Sequence, residues 1–176
     1  LAIKDAEAEE EAAKKAEKEA AKKAEEEAEE DPTVAESIEQ INDIGAGCKT
    51  LEISMESNIK AIGCEAIATL KYLETLKIGY RNAIRAEGCR HIANLQNLKK
   101  LSIGGHNGIG ADGCRHIAKL QNLKSLIISH DNRTQVEGCR WIATLKCLET
   151  LEIGHRNDIQ PEGCRHIANL QNLKKL

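Results

Sequence analysis

The chain repeats itself every 25 residues, and this period constrains the possible fold more than any other feature. Leucine recurs in this register as Leu51, Leu76, Leu101, Leu126, Leu151 and Leu176, and cysteine recurs as Cys64, Cys89, Cys114, Cys139 and Cys164. A period of this length is typical of solenoids, in which each repeat packs only on its neighbours. The composition agrees, because the 176 residues include no Phe, one Trp and two Tyr, and a stack of small cores needs few large rings.

Each repeat predicts one strand and one short helix. Leu101 and Ile103 are two residues apart, as in a strand with one buried face. Cys114 and Ile117 are three residues apart, which places them on one stripe of a helix. The sequence therefore predicts an α/β fold in which strands and helices alternate.

The residues from Leu98 to Ile109 follow the pattern L-x-x-L-x-I-x-x-x-N-x-I, and the sequence E-G-C-R-x-I-A-x-L comes after it. This pattern resembles the leucine-rich repeat family, in its ribonuclease-inhibitor-like and bacterial effector-type branches, over roughly residues 48–176. The resemblance implies a right-handed solenoid with a parallel sheet on the concave side and short helices on the convex side. It also implies a structural ladder of buried asparagines, namely Asn82, Asn107, Asn132 and Asn157. Ser57 replaces Asn in the first repeat and Thr134 replaces Ile in the fourth, so we expect weaker layers there.

The chain divides into three segments. Residues 1–31 hold 13 acidic residues and 6 lysines among many alanines, which favours a charged helix or spacer over a coiled coil, because large apolar a and d residues are missing. Residues 32–50 are predicted to contain an N-terminal capping helix that begins near Pro32, because Thr33 and Glu36 form a capping-box pattern. Residues 51–176 hold five complete repeats and stop within a sixth, so we expect the array to be truncated.

The cysteines are the first candidates for chemistry, but their positions favour packing. The five that recur lie on the inward stripe of the helices, where we expect buried, reduced thiols rather than disulfides. Three of them are followed by Arg-His, yet residues two apart on a helix point about 200° apart and do not chelate one ion. We therefore predict no metal site in these helices.

Two other motifs are also given structural explanations. The sequence from Gly108 to Gly113 matches the dinucleotide pattern G-x-G-x-x-G, but the equivalents of Gly108 and Gly110 in other repeats are not glycine. His106, His130 and His155 follow successive strands and could converge, although surface imidazoles of a binding face are the commoner case. No catalytic set emerges, so we expect no enzymatic activity, no cofactor and no metal.

The predicted concave face carries residues that change from repeat to repeat, unlike the fixed core, and such a surface suits recognition of another protein. The predicted partner-binding residues are Lys77, Tyr80, Arg81, His106, Ile127, His130, Asp131, Glu152, His155 and Arg156. The charge balance indicates neither a nucleic-acid nor a membrane partner, and we expect a monomer. The alternative is a structural spacer or scaffold within a larger multidomain effector or adaptor. Reduced cysteines favour a cytoplasmic location, or the host cytosol if the chain belongs to a delivered effector.

Overall fold

The computed structural model describes residues 32–176, and the predicted charged helix of residues 1–31 lies outside this part of the chain. Within the described residues, six strands alternate with six helices. The strands are β1 (Thr33–Ala35), β2 (Thr50–Ile53), β3 (Thr75–Ile78), β4 (Lys100–Ile103), β5 (Ser125–Ile128) and β6 (Thr150–Ile153). The helices are α1 (Ile38–Asn42), α2 (Lys60–Ile67), α3 (Arg85–Ile92), α4 (Gly110–Ile117), α5 (Gln135–Ile142) and α6 (Gln160–Ile167).

The six strands form one parallel sheet in chain order. Leu51 is paired with Leu76 and Ile53 with Ile78, and the same register continues to β6 without a slip. Equivalent residues of successive repeats therefore lie side by side on neighbouring strands. The alternating strands and helices confirm the predicted α/β class and fit a solenoid-like repeat.

The core lies between the sheet and the helices. In β3, Leu76 and Ile78 are buried whereas Lys77 between them is exposed, because successive strand residues point to opposite faces. Cys89 and Ile92 of α3 join the same core with no solvent exposure. No helix of residues 32–176 packs on the other face of the sheet, and we call it the sheet face. Its side chains are those at the position of Lys77 and those that follow each strand.

Each strand from β2 to β6 is joined to its helix by a turn that enters the left-handed backbone region at alternate residues. Arg81, Ala83 and Arg85 have φ of 54°, 52° and 56°. This conformation costs residues other than glycine about 1–2 kcal/mol each, and in the next repeat the last two of these positions are Gly108 and Gly110. The backbone conformation therefore gives these two glycines of the G-x-G-x-x-G match a local structural reason.

The start of the described chain differs from the sequence-based prediction. Thr33–Ala35 forms a strand that pairs with β2, so the helix predicted to begin near Pro32 is wrong in position. The helix begins at Ile38 instead, because the Ser37 side chain accepts a hydrogen bond from the Gln40 backbone N–H. Ala35 and Ile41 still join the core, so this segment covers the first complete layer. No helix in residues 32–176 is long and apolar enough to cross a membrane.

Candidate functional site

The strand ends of the sheet face are fixed by the predicted asparagine ladder. Asn107 is 1 % exposed, and its side-chain amide donates to the carbonyl oxygens of Gly79 and Gly104, both at 2.9 Å. Its Oδ1 accepts the backbone N–H of Asn82 at 2.9 Å. Asn132 and Asn157 repeat this arrangement one and two layers further on. The ladder therefore joins each turn to the layer on either side of it.

The ladder is incomplete at its first member. Ser57 stands at the preceding asparagine position and bonds only to the carbonyl of Ser54 within its own turn. The Oδ1 of Asn82 is buried and has no hydrogen-bond partner. One ladder acceptor is therefore unused in the layer next to Ser57. At the other departure, Thr134 is fully buried and its hydroxyl lies 3.2 Å from the Oδ1 of Asn157.

All ten predicted partner-binding residues lie on the sheet face or at its strand ends, and none of them is buried. They occupy three rows that cross the strands. The first row is Glu52, Lys77, Ser102, Ile127 and Glu152, the second is Met55, Tyr80, Gly105, His130 and His155, and the third is Glu56, Arg81, His106, Asp131 and Arg156.

Opposite charges alternate along the first strands of this face. Lys77 Nζ lies 2.7 Å from Glu52 Oε1, and Arg81 Nη1 lies 2.9 Å from Glu56 Oε1. These pairs are exposed, so each contributes little to stability, in general about 0–1 kcal/mol. They neutralise one another locally, and the sheet face therefore does not present a continuous basic track.

The last four strands carry a cluster of rings. The ring centroids of Tyr80 and His130 are 5.2 Å apart, and those of His130 and His155 are 4.9 Å apart with an interplanar angle of 7°. Gly105 lies between Tyr80 and His130 in the second row, and a Cβ at this position would approach the His130 and Tyr80 rings to 2.8–2.9 Å. The absence of a side chain at Gly105 therefore lets the two rings meet. The sequence analysis did not identify Gly105, although a lone glycine in a row of large residues was the available signal.

The third row joins the ring cluster through His106 and Asp131. His106 packs edge-on against His130 with centroids 5.1 Å apart. Its Nε2 lies 3.7 Å from Asp131 Oδ2, and Arg156 Nη1 lies 3.7 Å from the same oxygen. These separations are too long for hydrogen bonds, and Asp131 Oδ2 is a buried atom with no hydrogen-bond partner. The structure thus brings His106, His130 and His155 into one cluster, which the sequence left open.

The recurring cysteines of the helices serve to pack neighbouring repeats together. All seven cysteines are free, and Cys64, Cys89, Cys114 and Cys139 are buried as predicted. Loss of hydration raises the pKa of the Cys64 and Cys114 thiols to about 12 and that of Cys139 to about 11. Each thiol also fills the space next to the glycine that precedes the cysteine of the following repeat, where a Cβ on Gly113 would lie 3.2 Å from Cys89 Sγ. These thiols are therefore poor nucleophiles at neutral pH.

Cys164 corrects the prediction of five buried cysteines, because it is exposed. It belongs to the last layer of the described residues, and no helix within residues 32–176 follows to cover it. With Leu151, Ile159 and Leu176 it lines a hollow of about 430 Å³ at that end of the described repeats. Cys147 is exposed as well.

The helix surface carries local ion pairs. Arg90 pairs with Glu87, Arg115 with Asp112 at 3.4 Å and Arg140 with Glu137 at 3.7 Å, each within one helix. The hydrogen bond from Arg90 holds the pKa of the Glu87 carboxyl below its usual value. These contacts pair the basic side chains of the helices with acids of the same helix.

None of the protein-family models, curated proteins or solved structures compared with this chain matches it. What the chain does must therefore be inferred from its own residues.

Proposed function

We propose that the chain is a non-enzymatic protein-interaction module of the leucine-rich-repeat type, which binds a partner protein through the sheet face. One observation carries this proposal. The core positions are nearly identical in every repeat, whereas the second row changes from Met55 to Tyr80, Gly105, His130 and His155. A constant scaffold that holds varied side chains in register is the arrangement that a recognition surface requires.

The sheet face is preorganised, which lowers the entropic cost of binding. The rows stand on parallel strands, and their turns are held by the buried asparagine ladder. The rings of Tyr80, His130 and His155 already support one another in the free protein. Immobilising a flexible side chain on binding costs about 0.5–1.5 kcal/mol. Because the stacked rings are already ordered, less of their interaction energy is offset by this cost when a partner binds.

The chemistry of the face favours a protein partner over a nucleic acid. Tyr80 and Ile127 offer apolar surface, and the charged residues around them carry both signs. Tyrosine and arginine dominate the binding energy of many protein interfaces, so Tyr80 and Arg81 are the proposed anchors. A polyanion would meet Glu52, Glu56 and Glu152 along the same rows, which opposes its binding.

Affinity capture with face-specific variants tests this proposal. The double variant Tyr80→Ala/Arg81→Ala should lose the partners that the unchanged chain captures. Tyr72→Ala is the matched control, because Tyr72 is 64 % exposed but lies between α2 and β3, off the three rows. The control should retain those partners, and both variants should keep the far-UV circular dichroism of the parent.

Retention of every partner by the double variant would contradict the assignment to the sheet face. Capture of no specific partner by any of these proteins would favour the structural-spacer alternative. The buried reduced thiols support a proposed location in a reducing compartment, such as the cytosol. An origin in an effector or adaptor remains part of the same proposal.

A further inference from the structure

Two neighbouring strand ends bring together three side chains that are common metal ligands. His106 follows β4 by three residues, and His130 and Asp131 follow β5 by two and three. The parallel register pairs Ile103 with Ile128, so His106 and Asp131 occupy equivalent positions in adjacent repeats. One ligand atom from each of the three side chains lies within 4.8 Å of the other two.

The ligand types define the kind of ion that would fit. Two imidazoles and one carboxylate suit Zn²⁺ and related divalent transition metals, which commonly keep a further coordination position open. Bonds of about 2.0–2.2 Å to the metal require ligand atoms closer together than 4.8 Å. His106 is exposed, and its ring can rotate toward the other two without displacing the core. His106 Nε2 and Asp131 Oδ2 are 3.7 Å apart.

A second observation favours a cation at this place. Asp131 Oδ2 is buried and accepts no hydrogen bond, although an unpartnered buried carboxylate oxygen is costly. The His106 imidazole and the Arg156 guanidinium each lie 3.7 Å from this oxygen, which is too far for a hydrogen bond. A metal ion at the oxygen would satisfy it directly.

The orientation of His130 is fixed by its surroundings. Its ring stacks on His155, contacts Tyr80 on another side and meets His106 edge-on. The cluster therefore restricts the rotation of one ligand before any ion binds, which reduces the entropic cost of coordination.

We propose that His106, His130 and Asp131 form a surface site for a divalent transition metal of the Zn²⁺ class, with the remaining coordination positions open to water or to a side chain of a partner. The proposal does not rest on the proposed partner-binding function, and it revises the sequence-based expectation that the chain has no metal site. The Arg156 guanidinium competes with the ion for Asp131. Removal of this positive charge should therefore tighten metal binding.

Isothermal titration of the full chain with ZnCl₂ tests the site. Because even outer-shell partners of a bound metal contribute about 10- to 100-fold in affinity, His130→Ala and Asp131→Asn should each weaken the Kd by at least about tenfold. Arg156→Gln should strengthen it. His166→Ala is the matched control, since His166 lies on α6, away from the cluster, and this variant should bind like the parent. Circular dichroism confirms that each variant is folded.

Exposed thiols are the competing ligands, and a second measurement separates them from the proposed site. Co²⁺ bound by His106, His130 and Asp131 gives d–d absorption without a thiolate charge-transfer band. The Cys147→Ser/Cys164→Ser variant should keep this spectrum and its affinity for Zn²⁺. A thiolate band that disappears in the serine variant would overturn the proposal, and so would an unchanged Kd in both His130→Ala and Asp131→Asn.

Discussion

The substitutions Asn107→Ala and Asn82→Ala remove the same buried amide from neighbouring layers, but they should differ sharply in cost. In Asn107→Ala, the backbone N–H of Asn82 loses the Oδ1 that accepts it at 2.9 Å, and no other partner is within reach. The carbonyl oxygen of Gly79 still accepts a hydrogen bond from the side-chain amide of Asn82, and the carbonyl oxygen of Gly104 still accepts one from the side-chain amide of Asn132. One buried donor is therefore left unpaired.

In Asn82→Ala, no backbone group is left without a partner. The Oδ1 of Asn82 accepts no hydrogen bond in the parent protein. The carbonyl oxygen of Ser54 still accepts a hydrogen bond from the Ser57 hydroxyl, and that of Gly79 still accepts one from the side-chain amide of Asn107. The two side chains are buried to within 1 % of each other, so the apolar and cavity contributions should nearly cancel in the comparison.

The two variants should therefore differ in free energy of unfolding by the cost of one buried N–H without a hydrogen-bond partner. An unsatisfied buried donor costs about 1–3 kcal/mol, and Asn107→Ala should be less stable than Asn82→Ala by that amount. Urea unfolding followed by circular dichroism and by the fluorescence of Trp141 measures both free energies of unfolding. The comparison is valid if the two probes give the same unfolding curve for each variant and if the variants have equal m-values. Equal losses of stability, or a larger loss in Asn82→Ala, would refute the description of the ladder.

Three further predictions concern other parts of the molecule. Thr134→Ile should raise the free energy of unfolding by about 1 kcal/mol in urea, because it buries more apolar surface while Asn157 Oδ1 still accepts the backbone N–H of Asn132 in the preceding repeat; a loss of stability would contradict this. Of the seven thiols, Cys147 and Cys164 should react quickly with a disulfide reagent, and the four buried thiols only on unfolding, since burial raises their pKa. Fast modification of more than three thiols in the folded protein would show that the buried thiols are accessible to solvent and would contradict this prediction. Gly105→Ala should weaken partner capture, because its Cβ would lie 2.8–2.9 Å from the Tyr80 and His130 rings and would force them apart; unchanged capture would count against the ring cluster.

The sequence was sufficient to predict the features that every repeat shares. Leu101, Cys114 and Asn107 recur at one spacing, and each type has one physical reason to be buried at its position. The exceptions lie at the two ends of the described array. Cys164 follows the same pattern as the other ladder cysteines, but no further helix packs on it within residues 32–176. Thr33 begins a capping-box pattern, yet pairing with β2 draws it into the sheet.

The candidate site was harder to predict, because it depends on contacts between repeats. His106 and His130 do not occupy the same repeat position, so periodicity alone did not bring them together. Their proximity depends on the direction of each turn and on the space that Gly105 leaves beside the rings. The unused Oδ2 of Asp131 also becomes visible only when the neighbouring side chains are placed.

Site-specific photo-crosslinking tests the binding face most directly. A benzophenone amino acid can replace Tyr80 on the sheet face or, as the control, Tyr72 off that face, since both tyrosines are exposed. If the sheet face binds the partner, light should join a discrete protein to position 80, and Arg81→Ala should reduce that product, while position 72 gives no such band. A partner that crosslinks equally well from both positions, or only from position 72, would contradict the proposed function.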